Sequence, residues 1–403
     1  MILKSDLERI ADSQFNNLQK RETGIRRDKI EKINHHSKLV KIISGIRRCG
    51  KSTLVHQIMN TYENTFYLNF ETPGLTGFRI TDFEKLDEII KKRMAKNLFF
   101  DEIQNVESWE RYIRSKHDEG FNLYITGSNA SMLSKELGTK LTGRYLMTEL
   151  FPFSYNEFLK IKRHSPDSGN TELYMSEGGF PEYLKNTDNE YLHRIFYDVL
   201  YRDVAIRHKI KHVERLKELA MFLITNANKK ISYNKIKNIF SLGSTNTVID
   251  YISYFQDSYL FFILPKFDYS VKKQIINERK IYSIDTGLSS VNSASYSDDT
   301  GRKLENIVYL HLRNKFRDIF YYAKKFECDF VVRKKIDDFS LFQVCLELNH
   351  DNIDREINGL REVMDYVNTK TGTIITLNQK DSIRNKGTEI QVIPFHEFSQ
   401  VRN

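Results

Sequence analysis

The sequence predicts an α/β fold assembled from more than one domain, and three observations carry that reading. Short apolar runs at 39–43, 65–71, 98–103 and 121–129 alternate with amphipathic stretches, the rhythm of strands joined by helices. A glycine-bracketed turn, Gly45-Ile46-Arg47-Arg48-Cys49-Gly50-Lys51-Ser52, stands between the first run and helical spacing over 53–59. The third run ends in two adjacent carboxylates, Asp101 and Glu102. At 403 residues the chain is long enough for two or three domains.

The turn has the pattern G-x-x-x-x-G-K-S, and its flanks suit a phosphate-binding loop. Gly45 and Gly50 let consecutive backbone N–H groups face an anion, and the helix opening at Lys51 adds its positive end. Lys51 is expected to reach the β- and γ-phosphates of ATP, and the Ser52 hydroxyl to ligate Mg²⁺. Arg47, Arg48, Cys49 and Thr53 complete the expected nucleotide-contacting set. For Arg47 and Arg48 a solvated loop face serves equally well.

A second strand is expected over 65–71, then a Pro73-Gly74 loop and a helix around 82–93. The run Leu98-Phe99-Phe100-Asp101-Glu102-Ile103 carries its carboxylates out at the C-terminal edge, where open α/β sheets bind ligands. Asp101 is expected to hold Mg²⁺, mostly through water, and Glu102 to polarise an attacking water. After a helix over 109–117, the run ending Ile125-Thr126-Gly127-Ser128-Asn129 places Ser128 and Asn129 either beside the γ-phosphate or in a helix-capping turn. Arg144 is the candidate arginine finger, because a planar guanidinium neutralises charge on a transferring phosphoryl group. The alternative for Arg144 is a surface ion pair.

Composition sets limits. Hydrophobic residues make up 40% of the chain, enough for packed cores. No apolar run is long enough to span a bilayer, so no membrane partner is expected. The three cysteines, Cys49, Cys328 and Cys345, lack metal-ligand spacing, which suits a reduced, cytoplasmic compartment. The net charge is +9, but 53 acidic residues oppose 62 basic ones, so DNA is only weakly indicated as a partner. Residues 1–37 read as a polar helical arm packed on the nucleotide domain, and 154–172 as linker. Residues 231–240, a glycine-containing turn at 241–244, and a stretch from Thr245 read as helix-turn-helix. Thr245, Asn246 and Thr247 would face a groove if this unit reads DNA.

The segments 45–52, 98–103, Ile125-Thr126-Gly127-Ser128 and 141–144 together resemble the archaeal-type ATPases of the AAA+ superfamily, and the likeness extends over nearly the whole chain. The resemblance implies Mg²⁺-ATP binding, hydrolysis and a homo-oligomeric assembly. It also implies a winged helix and a C-terminal domain related to restriction endonucleases. On this reading 1–37 is the arm, 38–165 the P-loop AAA+ three-layer domain, 166–270 the helical and winged-helix region, and 271–403 the endonuclease-like α/β domain. Gly178-Gly179-Phe180-Pro181 matches a family signature, Tyr201-Arg202-Asp203-Val204 closes the helical segment, and 280–288 enters the last domain. A nuclease site there needs Asp, then Glu-x-Lys, around metal. Glu305 and Asp329 match the acidic positions, but Gln343 and Cys345 stand where Glu and Lys belong. Lys324, Lys325 and Lys334 are the available substitutes, and an inactive domain is the expectation. The function expected is an Mg²⁺-dependent ATPase that couples nucleotide state to a DNA- or protein-binding C-terminal half. The alternatives are an ATP-gated nucleic-acid switch or scaffold with little turnover, and an ATP-dependent nuclease.

Overall fold

In the computed structural model, which describes residues 2–129, 141, 143–294, 299–385 and 387–401, the early apolar runs become strands β1 (Val40–Ser44), β2 (Thr65–Asn69), β3 (Asn97–Asp101) and β4 (Asn122–Gly127). With β5 (Tyr145–Glu149) they form a parallel sheet in the order β2-β3-β4-β1-β5. Every residue of β1 is buried, Lys41 and Ser44 included, so the strand shows no alternation of buried and exposed positions. Helices α2 (Lys51–Met59), α3 (Phe83–Lys92) and α4 (Trp109–Asp118) supply the crossovers. The arm is α1 (Lys4–Lys20), and its Leu7 and Ala11 lie in the same hydrophobic core as Phe66, Phe100 and Trp109.

The chain divides into two compact units, Met1–Phe151 with Asp257–Tyr259, and Pro152–Gln256 with Leu260–Asn403. The break after Phe151 precedes the expected boundary at 165. The stretch from 154 is not a linker: Ser154 accepts from the Glu157 N–H while the Glu157 carboxylate takes the Ser154 N–H, a capping box that starts α5 (Tyr155–Lys162).

The second unit continues with α6 (Ser168–Glu177), α7 (Tyr183–Asn186), α8 (Asn189–Asp198), a π-helical turn over Val199–Ile206, and α9 (Val213–Thr225). Next come β6 (Lys230–Ile231), α10 (Tyr233–Ile239), α11 (Thr245–Asp257), β7 (Phe261–Leu264), α12 (Val271–Ile276) and β8 (Arg279–Ser283). The three strands pair in the order β6-β8-β7. Then follow α13 (Thr286–Asn292), α14 (Thr300–Arg313), β9 (Ile319–Ala323), β10 (Glu327–Lys335), β11 (Asp338–Val344), α15 (Ile353–Val367), β12 (Thr371–Thr376), β13 (Asp381–Asn385), β14 (Thr388–Pro394) and α16 (Phe395–Phe398). The last six strands form one mixed sheet, β13-β14-β12-β11-β10-β9, with Leu360, Val363 and Met364 of α15 in its core.

Two motifs far apart in sequence close on each other in this unit. The buried Asp285 carboxylate caps α13 through the Leu288 N–H at 2.8 Å and takes the Gly179 N–H at 2.6 Å. Burial pushes its pKa up to about 6, against the pull of those backbone N–H groups. A Cβ on Gly287 would lie 2.1 Å from the Glu177 carbonyl, and one on Gly179 would lie 2.3 Å from that of Phe153. Gly287→Ala is therefore expected to destabilise this unit by about 1–3 kcal/mol in chemical denaturation, since the collision is with backbone that cannot yield. Gly243→Ala, where nothing lies within 4 Å, is expected to stay within about 0.5 kcal/mol of wild type.

Candidate functional site

The glycine loop connects the end of β1 to α2 at the C-terminal edge of the parallel sheet. Gly50 caps α2 with φ +99°, a conformation that side chains resist. Gly45 is needed for closeness instead, because a Cβ there would fall 2.0 Å from the Leu150 carbonyl. Lys51 is buried and folds over the loop: its ammonium donates to the Gly45 carbonyl at 3.1 Å and the Ile46 carbonyl at 3.3 Å. The same ammonium lies 3.3 Å from Glu102 Oε1.

Asp101 ends β3 fully buried. Ser52 hydrogen-bonds its carboxylate. Tyr67 donates to Oδ2 at 2.9 Å, Asn69 Nδ2 donates to Oδ2 at 3.3 Å, and the Thr126 hydroxyl donates to Oδ1. The same Thr126 oxygen accepts the Glu102 N–H at 3.0 Å, so one hydroxyl on β4 sets both carboxylate residues. Burial raises the Asp101 pKa, and the neighbouring Glu102 charge raises it further. For Glu102 burial also pushes upward, but Lys51 and the Gln104 amide prevail and hold the carboxyl below its ordinary value. Glu102 has φ +50°, and this left-handed turn directs the chain away from β3 immediately after Asp101.

Ser128 and Asn129 are both buried where β4 ends beside β1, with Gly127 opposite Ser44. The Ser128 hydroxyl, next to the glycine loop, is buried without a hydrogen-bond partner among the described residues. A polar atom left so is costly unless a ligand meets it, which fits a phosphate or a lytic water. Arg47 reaches Glu71 at 2.7 Å, whereas Arg48 is exposed with φ +66°. Thr53 is half-buried on α2. Cys49 belongs to the loop through its backbone only. Its thiol is in the core, and burial pushes the thiol pKa up, so it is no nucleophile.

Arg144 is not brought to this constellation. Its carbonyl accepts the Val40 N–H, placing it at the N-terminal end of β1, a five-residue strand away from the loop. At about 3.3 Å per residue that strand spans roughly 13 Å, too far for a guanidinium to reach a phosphate held by its own loop. It instead lies 3.8 Å from the exposed Asp118, the surface pair that was the alternative. Thr142, in the same motif, lies outside the described residues.

Four contributors were not singled out from the sequence: Tyr67, Asn69, Thr126 and Arg27. The signal for Asn69 was its place at the end of an apolar run, because parallel register sets it opposite Asp101. Arg27 left no such trace. It is buried in a polar segment and donates to the Cys49 carbonyl at 2.7 Å and the Phe151 carbonyl at 2.8 Å, bracing the loop from behind. Arg27→Met should weaken ATP binding about tenfold in equilibrium titration, since two buried carbonyls lose a charged donor.

In the second unit the expected acidic positions also meet. Glu305 on α14 and Asp329 on β10 both contact the ammonium of Lys280 on β8, at 3.0 and 2.9 Å. Gln343 accepts the Asp329 N–H at 3.2 Å and donates to Glu356 at 2.6 Å, so its amide is committed to the scaffold. Cys345 is half-buried, and burial pushes its thiol up to about 12. The suggested substitutes lie elsewhere: Lys324 sits 3.8 Å over the Tyr366 ring, Lys325 lies over Phe326, and Lys334 is exposed. Among the described residues no group of three or more His, Cys, Asp or Glu could hold a metal ion as the chain stands, with Lys280 among these carboxylates, and no helix is long and apolar enough to cross a membrane.

Residues 37–159 match the family described as AAA domain, and residues 169–295 match a domain of unknown function, DUF8612. An uncharacterized protein of Methanocaldococcus jannaschii is 36% identical over 396 residues, covering 89% of this chain and 88% of its own. An uncharacterized protein of Haemophilus influenzae is 31% identical over 356 residues, covering 81% and 86%. Among solved structures, AMPPCP-bound DnaA from Aquifex aeolicus aligns over 57% of this chain and 85% of its own, at a TM-score of 0.29 and 12% identity. The chain thus belongs to one family with these archaeal and bacterial relatives, and its N-terminal unit carries a P-loop domain of the AAA type.

Proposed function

We propose that this protein is an Mg²⁺-dependent ATPase whose nucleotide state acts on its C-terminal half within a homo-oligomer. The observation that carries the reading is the meeting of Lys51, Ser52, Asp101 and Glu102 at one sheet edge, with Lys51 3.3 Å from Glu102 and Ser52 bonded to Asp101. The loop N–H groups and Lys51 bind the phosphates. The ammonium's present contacts, at 3.1 to 3.3 Å, are long enough to be exchanged for phosphate oxygens at little cost. Ser52 and Asp101 would hold Mg²⁺, which would supply positive charge to the phosphates. Glu102, ionised and steadied by Gln104, orients a water and draws its proton as the water's oxygen bonds to the γ-phosphorus, the bond from that phosphorus to the bridging oxygen breaks, and ADP leaves with that oxygen on its β-phosphate. Ser128 and Asn129 report the γ-phosphate to β4. Arg144, partly exposed and in a loose pair with Asp118, serves a neighbouring copy's nucleotide rather than its own.

For the C-terminal half we favour a protein partner over DNA. Helices α10 and α11 with the β7–β8 hairpin suit a winged helix, but α11, the helix that would enter a groove, carries no Lys or Arg and two aspartates, Asp250 and Asp257. Groove binding draws on cations to replace phosphate counterions. The test is ATP titration with and without Mg²⁺, followed by hydrolysis assays with and without duplex DNA at low salt. Mg²⁺-dependent binding and turnover that DNA leaves unchanged is the expected result. No ATP binding would overturn the ATPase reading, and retention of DNA at low salt would overturn the partner assignment.

A further inference from the structure

Lys280 has three carboxylate partners. Its ammonium lies 3.0 Å from Glu305 Oε1, 2.8 Å from Glu327 Oε1 and 2.9 Å from Asp329 Oδ1, while its side chain is only 5% exposed. The ligating oxygens come from two elements, α14 and β10, and the lysine from a third, β8. Tyr282, also on β8, donates to Glu305 Oε1 at 2.6 Å, and Lys230 pairs with Glu327 Oε2 at 2.6 Å. The second oxygen of Asp329 accepts the Val344 N–H at 3.0 Å, which fixes its orientation.

Three converging carboxylate oxygens around one point are what a hard divalent cation selects. Here the point is filled by an ammonium, and the N···O distances exceed Mg–O distances by about 0.8 Å. The charge count is consistent with a substitution of that kind. Three carboxylates against Lys280 and Lys230 leave one net negative charge, and removing Lys280 leaves two, the charge of one divalent ion. Burial pushes the Glu305 pKa up to about 7, with Asp329 adding to it, against the pull of Lys280 and Tyr282. The Lys280 ammonium, though penalised by burial, is held charged well above its ordinary range by Asp329 and its neighbours.

The residues present therefore do not fit the metal-dependent nuclease chemistry that the C-terminal resemblance implies. We infer that Lys280 is a built-in cation standing in the place of a divalent metal ion, so that Glu305, Glu327 and Asp329 form a metal site only when that ammonium is removed. In the native chain the cluster then works as a charge lock joining β8 to α14 and β10. The inference is independent of the ATPase reading.

Mn²⁺ binding to the full-length, nucleotide-free chain tests it, followed by electron paramagnetic resonance and by thermal unfolding. Wild type is expected to take up no Mn²⁺ at this cluster. Lys280→Ala is expected to bind one Mn²⁺ per chain, and Lys280→Ala with Asp329→Asn to lose it. If Lys280→Ala does not fold in metal-free buffer, Mn²⁺ is expected to restore a cooperative unfolding transition. A Lys280→Ala chain that neither binds Mn²⁺ nor is rescued by it would overturn the inference. So would a wild-type chain with an Mn²⁺ site that Asp329→Asn removes.

Discussion

Replacing Glu102 by Gln should leave ATP bound and lower turnover roughly 100- to 1,000-fold, the usual contribution of a positioned general base. Gln keeps the shape and can still meet Gln104 and Lys51, but it cannot take a proton. ATP affinity should hold or rise, because a carboxylate facing the phosphates is removed. The wild-type pH profile has a definite sign. Lys51 and Gln104 hold the Glu102 carboxyl below its ordinary value, so it stays ionised through the usual glutamate range. Turnover should persist as pH falls through that range and be lost only as pH falls through the depressed pKa. The check is phosphate release across pH in wild type, with radiolabelled ATP retention by Glu102→Gln at neutral pH. A variant with wild-type turnover would remove Glu102 from the chemistry.

The second large effect combines a gain and a loss. Asp101→Asn should abolish Mg²⁺-supported hydrolysis while stabilising the nucleotide-free chain by about 1 kcal/mol, or roughly 2–4 °C in thermal midpoint for a unit of this size. Asp101 is a fully buried carboxylate beside a second one, and burial and Glu102 both raise its pKa. The folded state thus holds that proton more tightly than the unfolded state, and the ionised form is a liability above the folded pKa. Its hydroxyl partners, Ser52, Tyr67 and Thr126, can turn to accept from an amide. The one fixed donor, Asn69, is also the longest contact, at 3.3 Å. The stability gap between variant and wild type should narrow as pH is lowered and the wild-type carboxyl takes its proton. Calorimetry over a pH series without nucleotide reads this directly, and a destabilised variant at neutral pH would refute the sign. Sites that hold charge for a ligand commonly cost stability without it.

The candidate site was legible in the sequence because its parts are local. The glycine loop requires its spacing within one turn, and Asp101-Glu102 ends an apolar run that has no other reason to finish in two charges. What the sequence hid was tertiary. Tyr67, Asn69 and Thr126 matter through parallel register, which places them beside Asp101 only once the strand order is known. Arg27 and Lys280 were not singled out, since nothing in their neighbourhoods says that they will be buried. The strand β13 escaped because it is an edge strand with exposed residues on both faces, Asp381-Ser382-Ile383-Arg384-Asn385, so it shows no alternation. The supposed linker at 154 was misread for its polarity, although Ser154 and Glu157 have capping-box spacing and Phe158 is buried.

Gly178-Gly179 and Asp285-Thr286-Gly287 were visible as motifs but not as partners. Each explains the other once Asp285 is seen to hold the Gly179 N–H. Arg144 shows the opposite limit. Its residue type suits a finger, yet β1 separates it from its own loop and it lies beside Asp118 instead.

Steady-state phosphate release from wild type and Lys51→Ala tests ATP hydrolysis at the loop over 45–52. Wild type is expected to release phosphate in an Mg²⁺-dependent way, and the variant to lose about 100-fold or more, since the bound phosphates lack their buried cation. Equal release from the two proteins would contradict it.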